Sequence, residues 1–340
     1  MNSFAAATGV GSWPGTSPRR AAEVVVGELP RLPYLPELPA RGVGADLIGR
    51  AGALLVDISI DTVPRGYRIV TRPGSVTRRA ASLLGEDVDA LEEAWEKAGG
   101  AQSGRTVKVQ APGPITLAAQ LELGNGHRAI TDPGALRDLA ASLAEGVAVH
   151  RDEVARRLSA PVVVQFDEPL LAAALAGRLA GVTALTPVHP VDEAAVVGLL
   201  DECVARVGGE VALHSCAEVL PWDALRRSRI GAVSVDLGAL DVDDLDGLAE
   251  FVDAGRTVVL GLIPAAVGVS GSEHQPSFEA LARTAAALTD RLGFPRHVLG
   301  QRIGISPACG LAGATEAWAR TATSLAQRTA EAIAEDPAAV

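Results

Sequence analysis

Short apolar runs alternate with longer amphipathic runs along the whole chain, and this alternation limits the fold more than any other feature. The short runs predict buried strands and the longer runs predict helices, because the two structures repeat with different periods. Eight strands are predicted, near residues 7–11, 54–60, 106–109, 162–166, 211–213, 232–236, 257–263 and 303–309. Buried strands joined by helices form a parallel sheet. An α/β fold follows, a single (β/α)8 barrel, with an open doubly wound sheet as the alternative.

The chain shows no low-complexity linker and no shift in composition, so one domain is expected over residues 1–340. Two stretches between the predicted elements are assigned no barrel strand. Residues 30–44, dense in Pro and Leu, are expected to form a loop, and residues 62–76 are expected to be irregular or a hairpin.

Charge and cysteine content restrict the partners and the compartment. The formal net charge of -11 argues against nucleic acid or an anionic membrane, which select basic surfaces. The three cysteines do not have the spacing of a disulfide scaffold, and the first ten residues lack the pattern of a secretory signal. A reducing cytoplasm is therefore predicted, with thiols available for metal binding or chemistry.

Potential metal donors stand at the ends of three predicted strands. His214 and Cys216 follow the run 211–213 on alternate residues, so their side chains share one face. Asp236 and Cys309 end two later stretches of the same kind. One imidazole, two thiolates and a carboxylate form a tetrahedral zinc set. The alternative for each residue alone is an ordinary buried side chain or, for Asp236, a residue that ends a strand.

The charge of this donor set indicates its chemistry. A zinc ion with two thiolates and one carboxylate is net anionic, so it generates hydroxide poorly. It still lowers the pKa of an incoming thiol. Asp236 is the ligand most easily displaced, and the substrate sulfur is expected to take its place. Ligands drawn from three separate strands favour a catalytic site over a structural zinc knuckle.

Further polar residues fall at or just beyond predicted strand ends, namely Gly11-Ser12, Asp57, Lys108 and Asp167-Glu168. Barrel enzymes place their chemistry at this rim. The simpler interpretation of each acid is a helix cap, and Pro169 favours that interpretation for Asp167.

Five motifs occur in order along the chain: Val10-Gly11-Ser12-Trp13-Pro14, Lys108 with Gly113-Pro114-Ile115-Thr116, Gln165-Phe166-Asp167-Glu168-Pro169, His214-x-Cys216, and Ser306-Pro307-Ala308-Cys309-Gly310-Leu311. Together they resemble the C-terminal catalytic domain of cobalamin-independent methionine synthase. The resemblance implies a (β/α)8 barrel in which zinc binds the sulfur of homocysteine, which takes a methyl group to give methionine.

The resemblance also assigns roles to individual residues. It makes His214, Cys216 and Cys309 zinc ligands, with Asp236 where the long enzymes have Glu. Gly11 and Ser12 match a loop that holds the amino acid, and Asp167 matches a carboxylate that binds its ammonium group. The acidic residue of the second-strand loop is open between Asp57 and Asp61, and no proton donor is assigned.

Departures from the family pattern concern the methyl donor. Gln120 replaces a Trp that stacks on folate, Ala173 replaces a Glu that contacts folate, and residues 263–266 lack the Asp-Ile-His segment. The long enzymes also carry a second, N-terminal barrel that this sequence lacks. The donor is therefore open between methyltetrahydrofolate and a corrinoid-borne methyl group, with a corrinoid protein as a candidate partner.

Two other functions compete with methionine formation. One is a zinc-dependent alkyltransferase that acts on another thiol, such as a coenzyme-M-like acceptor. The other is a non-catalytic metal-binding relative, which the missing folate residues and the missing His favour.

Overall fold

The computed structural model describes residues 2–102, 104–183, 187–266 and 276–340. The strands are β1 (Ser59–Val63), β2 (Gly66–Val70), β3 (Val107–Pro112), β4 (Leu121–Glu122), β5 (Val162–Asp167), β6 (Val211–Ser215), β7 (Ala232–Asp236), β8 (Thr257–Ile263) and β9 (Ile303–Pro307). The helices are α1 (Pro18–Glu28), α2 (Leu47–Ala51), α3 (Ser75–Lys97), α4 (Pro114–Gln120), α5 (Pro133–Leu158), α6 (Leu171–Leu175), α7 (Glu193–Val207), α8 (Trp222–Arg227), α9 (Asp244–Asp253), α10 (Phe278–Arg291), α11 (His297–Arg302) and α12 (Glu316–Glu335).

Six parallel strands form one sheet in the order β3-β5-β6-β7-β8-β9. Two short segments complete the ring. Residues 6–8 bond to β9, where Thr8 N–H donates to the carbonyl of Ile305 at 3.0 Å. Residues 33–37 bond to β3, where Leu35 N–H donates to the carbonyl of Lys108 at 3.0 Å. A parallel bridge between Ser12 and Glu37 joins the chain just after the first segment to the end of the second. The predicted (β/α)8 barrel is thereby confirmed.

The second barrel segment differs from the prediction. It lies at residues 33–37, inside the stretch expected to be a loop, and not at residues 54–60. Strand β1 instead pairs antiparallel with β2 as a hairpin, which β4 extends to a small separate sheet. Pro33 and Pro36 have no N–H to donate, so the segment makes only isolated bridges and lacks the pattern of a regular strand.

Helices follow most of the strands, as the longer amphipathic runs predict. Helix α3 begins at Ser75, at the end of the stretch that was expected to be irregular or a hairpin. Side-chain caps fix several starts; Asp192, for example, accepts a hydrogen bond from Ala195 N–H at the start of α7. None of the described helices is long and apolar enough to cross a membrane.

The interior of the barrel changes character along its axis. An apolar layer fills one level, formed by Phe4, Ala6, Leu32, Val163, Ala212, Ala232 and Val259. Above it, toward the carboxyl ends of the strands, the same inward face of β5 carries Gln165 and then Asp167, because alternate residues of a strand share a face. The barrel is therefore closed by hydrocarbon at one level and polar at the rim.

Candidate metal centre and substrate pocket

Three of the four predicted metal donors come together at the carboxyl-terminal rim. The donor atoms of His214, Cys216 and Cys309 all lie within 4.8 Å of one another. Cys309 Sγ is 4.0 Å from His214 Nε2 and 3.1 Å from Cys216 Sγ. Both thiols are free, and 3.1 Å is far longer than the ~2.05 Å of a disulfide. Strands β6 and β9 deliver these donors from opposite sides of β7 and β8.

The orientation of the His214 ring is set by a neighbour on β7. His214 Nδ1 lies 3.1 Å from Ser234 Oγ, and both side chains are buried. In the tautomer in which Nδ1 donates this hydrogen bond to the serine oxygen, Nε2, which is 4.0 Å from Cys309 Sγ, keeps its lone pair for a metal. Ser234 was not singled out in the sequence, because its role depends on the register that places it opposite His214.

The three donors fit a zinc ion. Two thiolates on one tetrahedral zinc, each bonded at about 2.3 Å, lie about 3.8 Å apart, so the sulfurs would separate only slightly from 3.1 Å. The thiol–thiol hydrogen bond holds the pKa of Cys216 down at about 7 and raises that of Cys309. One thiol is therefore predisposed to ionise, and thiolates are the form that binds metal.

Asp236, the fourth predicted ligand, does not join this group among the described residues. Its Oδ1 accepts a hydrogen bond of 2.8 Å from Gly238 N–H, immediately beyond the end of β7. The residue is half-buried and lies close enough to Cys216 for its charge to oppose, in small part, the lowering of the pKa of that thiol by Cys309. The assignment of Asp236 as a ligand stays a prediction.

A cavity of about 280 Å³ opens beside the His/Cys/Cys group. It is lined by apolar and polar side chains from five regions of the chain, namely Val10, Ser12, Glu37, Pro39, Ala45, Leu47, Asp167, Pro169, His214, Cys216, Cys309 and Gly310. Within the described part of the chain, the only ionisable side chains that line it besides His214, Cys216 and Cys309 are two carboxylates. The cavity therefore suits a small thiol that carries a positive charge.

Asp167 is one of these carboxylates, as predicted from its place at the end of β5. It is buried, and its Oδ1 accepts a hydrogen bond of 2.7 Å from Gln165 Nε2. Burial raises the pKa of Asp167, while His214 and Lys108 oppose the shift. The adjacent Glu168 does not line the cavity; it accepts hydrogen bonds from Ile115 N–H and Thr116 N–H at the start of α4.

Glu37 is the second carboxylate, and sequence reasoning missed it. It ends the unpredicted segment 33–37 and is buried, with its Oε1 3.4 Å from Arg50 Nε. Burial raises the pKa of Glu37 to about 7, against the opposing charge of Arg50. The two acids considered instead, Asp57 and Asp61, belong to the region around the β1–β2 hairpin and do not line the cavity. Asp57 is exposed, with a left-handed φ of 60°.

Gly11 and Ser12 lie where the predicted substrate loop should be. A Cβ at Gly11 would come within 2.9 Å of Gln110 Cγ, so the loop packs closely onto β3. Ser12 Oγ packs against Gly310: a Cβ at residue 310 would lie only 2.1 Å from this oxygen. Leu311 N–H donates to the carbonyl of Ser12 at 2.9 Å. The loop is thus held directly beside Cys309.

The fold and the site define a (β/α)8-barrel protein with a His/Cys/Cys cluster of metal-binding geometry at its rim. Residues 4–332 match the family described as the catalytic domain of cobalamin-independent synthase, and the chain belongs to this family. The resemblance inferred from the motifs is therefore confirmed. None of the curated proteins compared with the chain matches it.

Several solved structures match the chain. A B12-independent methionine synthase from Shewanella sp. W3-18-1, in complex with selenomethionine, is 14% identical, with a TM-score of 0.59 over 99% of this chain and 100% of that chain. At this identity the likeness shows the fold alone. A hyperthermophilic beta-glucosidase mutant, 11% identical over 90% of each chain, has a TM-score of 0.33, which supports no argument.

Proposed function

We propose that this protein is a zinc-dependent S-methyltransferase that transfers a methyl group to homocysteine and produces methionine. The observation that carries the proposal is the cavity itself, in which two thiols and an imidazole face Asp167 and Glu37 across a small space. Family membership and the B12-independent methionine synthase with the same fold support it.

The donor set is proposed to hold zinc through His214, Cys216 and Cys309, with Asp236 as the fourth ligand. When bound, zinc lowers the pKa of a thiol substrate and so supplies a nucleophilic sulfur. A sulfur–carbon bond then forms while the bond between the methyl group and its donor breaks, and the thiol proton leaves to solvent. The cysteines require a reducing environment, which is consistent with the predicted cytoplasm.

The remaining residues of the cavity are proposed to position the amino-acid part of the substrate. Asp167 and Glu37 would accept hydrogen bonds from its ammonium group, and burial makes such charge-assisted bonds strong. The Gly11-Ser12 loop would hold its carboxylate end. Because both acids would repel a sulfonate, the cavity disfavours a coenzyme-M-like thiol.

The methyl donor stays open between methyltetrahydrofolate and a corrinoid-borne methyl group, with a corrinoid protein as a candidate partner. A cavity of about 280 Å³ lies just below the range of roughly 300–1,000 Å³ that accommodates drug-sized ligands. It has room for the thiol but not for the whole of either donor. Neither Gln120 nor Ala173 lines it.

The test is a turnover assay with zinc-loaded protein and homocysteine, in which methylcobalamin and methyltetrahydrofolate are offered separately. Methionine should form with at least one donor. Cys309→Ser should lose both zinc and turnover, whereas Asp167→Ala should keep zinc and lose affinity for homocysteine. Zinc-loaded protein that forms no methionine from either donor would contradict the proposed function and favour a non-catalytic relative.

A further inference from the structure

A buried lysine connects the two parts of the cavity that are proposed to hold the amino acid. Lys108 is fully buried on β3, inside the barrel and below the cavity. Its Nζ donates to the carbonyl of Val10 and to Gln165 Oε1, both at 2.8 Å, and lies 5.3 Å from the centre of the Tyr34 ring. A buried amino group is costly unless it is hydrogen-bonded, so its presence needs a reason beyond packing.

The first acceptor of Lys108, the carbonyl of Val10, lies next to the Gly11-Ser12 loop. Val10 immediately precedes Gly11 and Ser12, and its carbonyl accepts hydrogen bonds from both Lys108 Nζ and Gln165 Nε2, each at 2.8 Å. Two donors on one carbonyl fix the peptide plane between Val10 and Gly11. The direction in which the loop leaves the barrel therefore depends on Lys108 and Gln165.

The second acceptor of Lys108, the side-chain amide of Gln165, connects it to Asp167. Lys108 donates to the oxygen of the Gln165 amide, so the amide NH2 must face the other way. There it meets two acceptors, the carbonyl of Val10 and Asp167 Oδ1, the latter at 2.7 Å. The amide orientation is thus determined from both sides. Gln165 holds the Asp167 carboxylate as an acceptor that faces the cavity.

We propose that Lys108 is a positioning residue for the amino-acid substrate, which acts through Gln165 to hold Asp167 and the Gly11-Ser12 loop at a fixed separation. This inference rests on the proposed function. Lys108 does not line the cavity, so it acts without contact with the substrate. Its loss should weaken recognition of the amino acid while the metal cluster stays intact, because His214, Cys216 and Cys309 make no hydrogen bond to this network.

The test compares zinc-loaded Lys108→Met and Gln165→Leu with the wild type. Each variant should raise KM for homocysteine about tenfold or more, as expected for lost hydrogen bonds to charged groups, with kcat and zinc stoichiometry within twofold of wild type. The KM of the double variant should be close to that of either single variant, because the two substitutions break the same connection. Thr257→Val is the matched control. Thr257 begins β8, at the end of the strand away from the cavity, and its buried hydroxyl has no hydrogen-bond partner among the described residues. This control should leave KM unchanged.

Three outcomes overturn the inference: an unchanged KM, additive effects in the double variant, or a parallel loss of zinc and kcat, which would indicate a purely structural role. If Lys108→Met does not fold, Gln165→Leu alone tests the inference, because the same rise in KM for homocysteine is expected of this variant. A wild type that makes no methionine with either donor refutes the proposed function instead. A wild type that is active, together with unaffected variants, refutes only the role of Lys108.

Discussion

The His214 ring and the Ser234 hydroxyl form a buried pair, with Nδ1 and Oγ 3.1 Å apart. The pair joins adjacent strands, β6 and β7, at directly opposed positions. Nε2, the other ring nitrogen, lies 4.0 Å from Cys309 Sγ, so a serine outside the His/Cys/Cys group orients one of the proposed metal ligands.

Replacement of this serine gives the first prediction. Ser234→Ala should weaken zinc affinity about tenfold or more, the usual effect of losing a partner that orients a ligand. Competition with a chromophoric chelator measures the change. Ser234→Thr, which keeps the hydroxyl, is the control and should bind zinc nearly as wild type does. Equal affinity in Ser234→Ala and wild type would show that the ring is oriented by packing alone.

The three cysteines should separate into two functional groups. Cys216→Ser and Cys309→Ser should each lose bound zinc, because each removes one of the clustered donors. Cys203→Ala is the matched control. This third thiol is buried in α7, 3.8 Å from the carbonyl of Ala140, and burial raises its pKa to about 12. Metal analysis of the purified proteins distinguishes them, and zinc loss in Cys203→Ala would contradict the assignment.

Affinity for homocysteine should depend on pH through Glu37. Burial raises the pKa of this carboxyl to about 7, so it is neutral below that pH and ionised above it. Only the ionised form pairs with an ammonium group, so affinity should fall as the pH drops from 8.5 to 6. Titration calorimetry on zinc-loaded protein measures this dependence.

The substrate thiol also titrates, so the comparison with Glu37→Gln isolates the contribution of the carboxyl. This variant should bind weakly at pH 8.5 and approach the wild type at pH 6. A constant ratio of the two affinities over this range would exclude Glu37 as the titrating group. Zinc content is measured at each pH, because metal ligands also bind protons.

Gly310 should tolerate no side chain. A Cβ at this position would lie 2.1 Å from Ser12 Oγ and 3.3 Å from Ser12 Cβ, so Gly310→Ala must displace the Ser12 side chain, its loop or the neighbouring Cys309. We expect a higher KM for homocysteine and a loss of about 1–3 kcal/mol in the free energy of unfolding, typical of overpacking. Denaturant titration measures the loss. Gly313→Ala is the control, since a Cβ there would meet no atom within 4 Å. Equal stability of the two variants would refute the steric argument.

The proposed metal donors His214, Cys216 and Cys309 could be picked out from the sequence because each lies at or just beyond the end of a regular strand. Strands β6, β7 and β9 are short apolar runs, and His214 and Cys216 alternate in a way that requires no knowledge of tertiary structure. The barrel itself was predicted for the same reason, since most of its strands carry this signal.

Glu37 could not be found in this way, because the segment before it carries no strand signal. Residues 33–37 contain two prolines and no β-branched residue, and their place in the barrel depends on bridges to Ser12 and Lys108. These partners are distant in sequence. Ser234 and the Lys108–Gln165 connection were missed for a related reason: each depends on strand register, which a single sequence does not determine.

Closure of the ring between residues 6–8 and β9 has a consequence for biosynthesis. Residues 6–8 leave the ribosome long before β9 does, so a nascent chain exposes unpaired sheet edges until β9 has been synthesised. His214 and Cys216 are synthesised well before Cys309. Until Cys309 is present, these two residues can supply only two of the three clustered ligands to a metal ion. Metal loading should therefore follow the synthesis of Cys309, and products truncated before this residue should be both zinc-poor and prone to aggregate.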